Sequence, residues 1–138
     1  MTVRDLPQVL AIEQRCFKNP WNEKQYLYEL QENPYACLWV MTDGDRVIGY
    51  YDLWLIFEQG ELANIAIDTP YQHQGLGARL MKHMEDYARQ KGLETIGLEV
   101  RVSNQAAISL YERNGFFTIN VKPKYYDDED GYRMMKGI

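Results

Sequence analysis

Apolar residues recur at helical spacing near the start of the chain. Leu6, Val9, Leu10, Ile12 and Cys16 form one stripe with Glu13 inside it, which predicts a helix. Asp5 is its expected N-cap, and Pro7 falls in its first turn. Asn19-Pro20-Trp21-Asn22 breaks the pattern, and Asn22 is placed to cap a second helix carrying Tyr26, Leu27 and Leu30. Asn33-Pro34 stops that helix. The pattern then changes to short apolar runs. Ala36 to Met41 reads as a strand, Asp43-Gly44-Asp45 as a hairpin turn, and Val47 to Phe57 as a long aromatic and β-branched strand. Gln59-Gly60 predicts the next turn. Leu62 to Ile67 is a third strand, ended by Asp68-Thr69-Pro70.

The second half alternates helix and strand. Gly75 to Lys91 carries Leu76, Leu80, Met81, Met84, Tyr87 and Ala88 at helical spacing, and Gly92 is its stop. Thr95 to Val100 is a strand. Ser103 or Asn104 caps a helix that runs to about Asn114 and ends at Gly115. Phe116 to Val121 and Tyr132 to Lys136 are strands flanking a polar loop. The order is ααβββαβαββ, with antiparallel hairpins first and a β-α-β crossover second. This predicts an α/β fold of the mixed-sheet kind, with helices on both faces and one domain over residues 1–138.

Composition narrows the class. The chain has 138 residues, and 46% of them are hydrophobic, enough for an ordinary core. Fifteen Lys and Arg stand against 20 Asp and Glu, a formal charge of −5, which argues against direct nucleic-acid binding. Cys16 and Cys37 lie in no CxxC motif and no Cys/His cluster, so free thiols and no metal site are expected. No apolar run approaches the ~20 residues of a membrane span, and no signal pattern opens the chain. A soluble cytoplasmic protein is the expectation, as a monomer or weak dimer.

Three features carry candidate chemistry. Gln72-His73-Gln74-Gly75-Leu76-Gly77-Ala78 lies between a strand and the strongest helix. Free N–H groups at that helix start, with the positive end of its dipole behind them, suit an anion such as a pyrophosphate; a plain tight turn is the alternative. The loop is not GxxxxGK[ST], so nucleotide hydrolysis is disfavoured. Glu99 sits inside an apolar strand. It either pairs with Arg101 or faces solvent, or it is a general base at the strand end. Tyr111 on the next helix is either a core aromatic or a phenol placed as general acid. The run Asp127-Asp128-Glu129-Asp130 is either a solvated loop or an attractor for a basic peptide.

These stretches resemble a known family. Asn64-Ile65-Ala66-Ile67-Asp68 followed by Tyr71-Gln72-His73-Gln74-Gly75-Leu76-Gly77 is similar to the acyl-CoA motif of the GCN5-related N-acetyltransferases (GNAT). Glu99-Val100-Arg101 with Ser103-Asn104, then Ala107-Ile108, Leu110-Tyr111 and Gly115-Phe116, resembles the second motif. Its wording is closest to the ribosomal-protein-alanine, or RimI-type, branch. Ile12-Glu13-Gln14-Arg15 with Pro20-Trp21-Asn22, and Tyr125-Tyr126 with Glu129-Asp130, match that branch too. The resemblance implies acetyl-CoA as cosubstrate and no metal. Main chain of His73, Gln74, Gly75, Leu76, Gly77 and Ala78 would hold its pyrophosphate, and Ile65, Ala66 and Ile67 would pair with its pantetheine arm. Asn104 would add a cofactor contact. Glu99 would be the base and Tyr111 the acid, with Tyr125 and Tyr126 positioning the substrate.

The implied acceptor is the N-terminal alanine of a ribosomal protein, the eighteenth of the small subunit. Two departures stand out: His73 replaces the usual Arg, and the family's first strand is missing, which suggests a late start or a shortened member. Amine chemistry points the same way. At pH 7 about one α-amine in ten is neutral, against about one lysine in 2,500. With no activated cysteine, direct attack without an acyl-enzyme is expected, an N–H of Ile65–Ile67 meeting the oxyanion. Two further readings remain: an acetyltransferase of a small amine or lysine side chain, and a non-catalytic acyl-CoA sensor.

Overall fold

Two helices come first because capping and proline cut them apart. In the computed structural model, which describes residues 1–138, α1 spans Leu6–Cys16 and α2 spans Glu23–Gln31. Asn22 caps α2 as expected: its Oδ1 accepts the Gln25 N–H at 2.9 Å, and Gln25 returns a bond to the Asn22 N–H. Asp5 behaves differently. Its carboxylate does not cap α1 but accepts the Thr2 N–H at 2.8 Å, closing a short 3-10 turn ahead of the helix.

Six strands follow: β1 Ala36–Asp43, β2 Arg46–Ile56, β3 Gln59–Ile67, β4 Thr95–Arg101, β5 Phe117–Lys122 and β6 Gly131–Gly137. The helix α3, Leu76–Gln90, crosses from β3 to β4, and α4, Gln105–Arg113, leads from β4 to β5. The sheet order is β1-β2-β3-β4-β6-β5, with β3 and β4 parallel and the other neighbours antiparallel. The expected mixed sheet is therefore present, and its element order is the one read from the pattern. The β2–β3 turn is shifted. It is made by Phe57 (φ 56°) and Glu58, with Ile56 opposite Gln59, so Gln59-Gly60 belongs to β3. Gly60 serves packing instead: a Cβ there would stand 2.9 Å from Leu93 and 3.2 Å from Leu53.

β2 explains the apolar run in the sequence, because both its faces are covered. Tyr50 points into a core with Leu6, Val9, Ile12 and Tyr26, under α1 and α2. Tyr51 and Leu53 point into the larger core with Met81, Met84, Ile96, Ile108 and Met134, under α3 and α4. No helix is long and apolar enough to cross a membrane.

One polar residue interrupts β2. Asp52 is 1% exposed, and neither of its oxygens meets a donor. Burial first, and then the neighbouring Glu29 carboxylate, push its carboxyl up to about 9. Burial would raise Glu29 as well. Hydrogen bonds from Asp52, Asn33 (2.8 Å) and Trp54 (2.6 Å) bring Glu29 below its ordinary value instead. Asp52 thus holds a proton in the folded protein that the unfolded chain has lost above pH 3.8. Stability should fall as pH rises toward about 9, by at most ~1.4 kcal/mol per pH unit. Asp52→Asn keeps a donor toward Glu29 and has no proton to lose. Urea midpoints of the two proteins should diverge with pH, the variant gaining; parallel pH slopes would contradict a protonated Asp52.

Candidate active site

The site begins with a defect in the sheet. β3 and β4 pair over only three positions, Gln59–Thr95, Gly60–Ile96 and Glu61–Gly97. Just beyond, Leu53 faces Leu62 while Asp52 faces Asn64, which leaves Ala63 as an extra residue. Such a bulge bends its strand and ends regular pairing. β3 stays with β2 from there to Ile67, β4 stays with β6, and a slit opens between them. The Asp68 N–H bonds the Ile48 carbonyl at 2.8 Å. By alternation the Ala66 N–H also faces β2, and those of Ile65 and Ile67 face the slit. The Ile65 N–H is covered by its neighbour's side chain, Asn64 Oδ1 at 3.1 Å.

The chain leaves β3 at Asp68, which is fully buried. Arg15 of α1 grips it at 2.8 and 2.9 Å, and its Oδ1 caps the Thr69 N–H. Gln72 bonds back to the Ile67 carbonyl at 2.9 Å, and Gln74 to the Pro70 carbonyl at 3.1 Å. These ties set up a tight loop in which His73 and Gly75 both have positive φ, 62° and 78°. The main-chain N–H groups from His73 to Ala78 donate to no backbone carbonyl, and they lie at the positive end of α3. Unpaired backbone donors at a helix start suit an anion. Gly77 has a separate reason: a Cβ there would stand 3.3 Å from Leu110, so it lets α3 and α4 approach.

The slit continues into a cavity of about 590 Å³. Glu99 and Tyr111 both line it, although they start on opposite sides of the sheet. Ile96, Leu98 and Val100 of β4 turn toward α3 and α4, which sends Glu99 to the other face. Tyr111 comes from α4 and belongs to the large core. The open strands let one space reach both. The phenol is 7% exposed, and burial raises its pKa, so it stays protonated. Asn104 lines the same cavity while its Oδ1 caps α4 at the Ala107 N–H, 3.2 Å away.

Glu99 does not pair with Arg101. Its two oxygens accept from Lys122 Nζ at 2.8 Å and from Arg133 at 2.9 Å. Arg133 also bonds Glu61, and Lys122 lies 5.2 Å from the Tyr125 ring. Arg101 faces the acidic loop instead, bonding Asp128 at 2.7 Å and Glu129 at 3.0 Å and packing on the Tyr126 ring at 4.6 Å. Asp130 accepts the Lys124 N–H at 2.8 Å. Three of the four carboxylates of the run 127–130 are thus engaged in hydrogen bonds, while Asp127 and Asp128 stay exposed to solvent. The two tyrosines also part company. Tyr126 lines the cavity, whereas Tyr125 stands half exposed outside it, its ring 4.8 Å from that of Tyr126.

Two cavity residues were given no role by the sequence. Glu13 is 1% exposed and accepts from the Trp21 N–H, Tyr26, Tyr50 and Asn64. It ties the α1–α2 connection to β3, and its place inside an apolar stripe was the one hint. Cys16 also lines the cavity; burial, then Asp68 and Glu13, push its thiol up, which makes it a poor nucleophile. Cys16 and Cys37 are both free thiols. No group of three or more His, Cys, Asp or Glu is placed to hold a metal ion.

Comparison with known proteins agrees with this geometry. Residues 6–116 match the model of the acetyltransferase (GNAT) family. The [ribosomal protein bS18]-alanine N-acetyltransferase of Escherichia coli K12 is 37% identical over 127 residues, which is 92% of this chain and 84% of that protein. The enzyme of that name from Salmonella typhimurium is 36% identical over 132 residues, covering 96% and 88%. The crystal structure of the ribosomal-protein-S18-alanine N-acetyltransferase from E. coli superposes with a TM-score of 0.90 at 35% identity, over 100% of this chain and 90% of that one. The chain belongs to the acetyltransferase (GNAT) family and is an acetyl-CoA-dependent N-acetyltransferase.

Proposed function

We propose that the protein moves the acetyl group of acetyl-CoA onto the N-terminal α-amine of a ribosomal protein, with alanine as the acceptor residue. The bS18 enzymes at 36–37% identity, matched along nearly the whole chain, support that acceptor. One observation carries the chemistry: a slit through the sheet gives a carboxylate and a protonated phenol access to one cavity. The amides of His73 to Ala78 receive the cofactor pyrophosphate, and the open edge of β3 at Ile65–Ile67 pairs with the pantetheine arm. Asn104 adds a contact from the start of α4. The acceptor enters from the α1–α2 side, past Trp21 and Tyr126. Its neutral amine attacks the thioester carbon, Glu99 takes the proton, and the Ile65 N–H meets the oxyanion once Asn64 yields it. Tyr111 donates to the departing sulfur. The raised Cys16 thiol is a weak nucleophile, which favours direct attack over an acyl-enzyme.

The test is regiochemical. The protein is incubated with acetyl-CoA and an alanine-starting peptide that also contains internal lysines, and the acetyl group is located by tandem mass spectrometry. Acetyl on the α-amine is the expected result. Acetyl on lysine alone would assign a side-chain acetyltransferase. Binding of acetyl-CoA with no transfer to the peptide would overturn the protein acceptor and leave a small amine or a sensing role.

A further inference from the structure

The acceptor cavity has two walls from distant parts of the chain. One is the α1–α2 connection, with Phe17, Lys18, Asn19 and Trp21. The other is the end of β4 with the β5–β6 connection, contributing Arg101, Ser103, Tyr126 and Glu129. The second wall is not held by regular structure. Between Lys122 and Gly131 it contains two non-glycine residues in the left-handed region, Lys124 (φ 51°) and Asp127 (φ 60°). A backbone of that kind persists only where its surroundings fix it.

Local bonds supply part of that fixing, the Asp127 N–H to the Lys124 carbonyl at 3.1 Å and the Tyr126 N–H to the Glu129 carbonyl at 3.1 Å, and Arg101 adds the side-chain part. It is the last residue of β4, its side chain is 19% exposed, and it makes three contacts to the connection: Asp128 at 2.7 Å, Glu129 at 3.0 Å and the Tyr126 ring at 4.6 Å. Glu129 reaches on to Ser103 Oγ at 2.9 Å, beside the cap of α4. One more contact joins the two walls. Lys18 Nζ bonds Asp128 Oδ2 at 2.6 Å, across 110 residues of sequence. Lys18 is 71% exposed and Asp128 42%, so this bond is easily exchanged with solvent and salt. Hydrogen bonds from Lys18 and Arg101 hold the Asp128 carboxyl below its ordinary range.

We propose that Arg101 is a positioning residue for acceptor binding, and that the Lys18–Asp128 ion pair is the clasp that closes the acceptor pocket. Arg101 orders the β5–β6 connection so that Tyr126 faces the cavity. Lys18 then draws that connection toward the α1–α2 wall. Neither residue contacts the amides of His73–Ala78 or the open edge of β3. Their loss therefore acts on the acceptor and spares the cofactor. The proposal rests on the reading above only in taking this cavity as the acceptor pocket.

The experiment uses the full chain, acetyl-CoA and the alanine-starting peptide, with steady-state kinetics on wild type, Arg101→Met, Arg101→Lys and Lys18→Met. Arg101→Met should raise the acceptor KM about tenfold, the order expected for losing charge-assisted hydrogen bonds. The KM for acetyl-CoA should stay within about twofold, and Arg101→Lys should recover part of the loss. Lys18→Met should raise the acceptor KM about threefold at low salt, and wild type should approach it in about 0.5 M salt. Amide hydrogen exchange over residues 123–130 gives a readout that needs no acceptor: it should speed up in Arg101→Met. Unchanged exchange, or an acetyl-CoA KM that rises in step with the acceptor KM, would overturn the proposal. Failure of wild type to modify the α-amine would instead count against the proposed acceptor, and the exchange result would still decide the role of Arg101.

Discussion

Glu99→Gln is expected to lower kcat by about 10²–10⁴, the range for loss of a positioned base. Affinity for acetyl-CoA should not change, because the proposed cofactor cradle of His73 to Ala78 is backbone and lies apart from β4. The carboxylate starts in a demanding place, since Lys122 and Arg133 already occupy both oxygens. Arg133 is fixed beneath the sheet by Glu61 as well, and its side chain is 13% exposed. Lys122 is 40% exposed and is the partner that can leave. In the proposed mechanism an arriving amine would take its place, and Oε1, the oxygen that Lys122 gives up, would receive the proton. The pH dependence separates this role from a structural one. An α-amine with a pKa near 7.7–8.0 neutralises itself as pH rises, so part of the defect should be recovered, up to about tenfold, between pH 7 and about pH 8.5. A variant with kcat within about threefold of wild type, or a defect that ignores pH, would reduce Glu99 to an ion-pair partner of Lys122 and Arg133.

Tyr111→Phe is expected to lower kcat by about 10², the lower end of the acid–base range. The reason lies in the two pKa values. A thiol leaves with a pKa near 8.5, so its thiolate departs without full protonation. The buried phenol is raised above its ordinary 10, so it keeps its proton available for a hydrogen bond and is a reluctant acid. In the proposed mechanism it would stabilise sulfur as charge builds and complete the transfer late. Because Tyr111 packs at 6.0 Å from Phe116 in the core, removing only the hydroxyl leaves the packing intact. The thermal midpoint should therefore hold while turnover falls. A Tyr111→Phe enzyme as fast as wild type would make this residue a core aromatic and nothing more.

These residues were legible because they sit in short local patterns. The helix at Leu76–Gln90, the glycines before it, and the strand–cap–helix run from Glu99 to Tyr111 all follow from spacing within about twenty residues. The ion pairs were not legible. Lys18 and Asp128 meet across 110 residues, and Arg133 reaches Glu61 across 72, so no window along the chain contains both partners. Arg101 lies two residues from Glu99 and was one of the partners the spacing allowed. In a strand, positions two apart share a face, but here the antiparallel register sets Arg133 directly opposite Glu99, and Arg101 reaches the loop. The turn at Phe57-Glu58 failed for another reason. Turn chemistry favoured Gln59-Gly60, while packing of Leu53 and Leu93 needed the glycine inside β3. Tyr125 and Tyr126 read as equals, yet only Tyr126 reaches the cavity, while Tyr125 packs edge-on against its ring.

In the proposed reaction cofactor and acceptor meet through the slit between β3 and β4. A crystal structure with a conjugate that joins coenzyme A through an acetyl bridge to the α-amine of an alanine-starting peptide tests it most directly. The expected result is pyrophosphate on the amides of His73–Ala78, pantetheine along Ile65–Ile67, and the bridge between Glu99 and Tyr111, with the peptide leaving between Lys18 and Tyr126. A conjugate bound with its peptide on the α3–α4 face, or with β3 and β4 closed and the bridge away from Glu99, would contradict it.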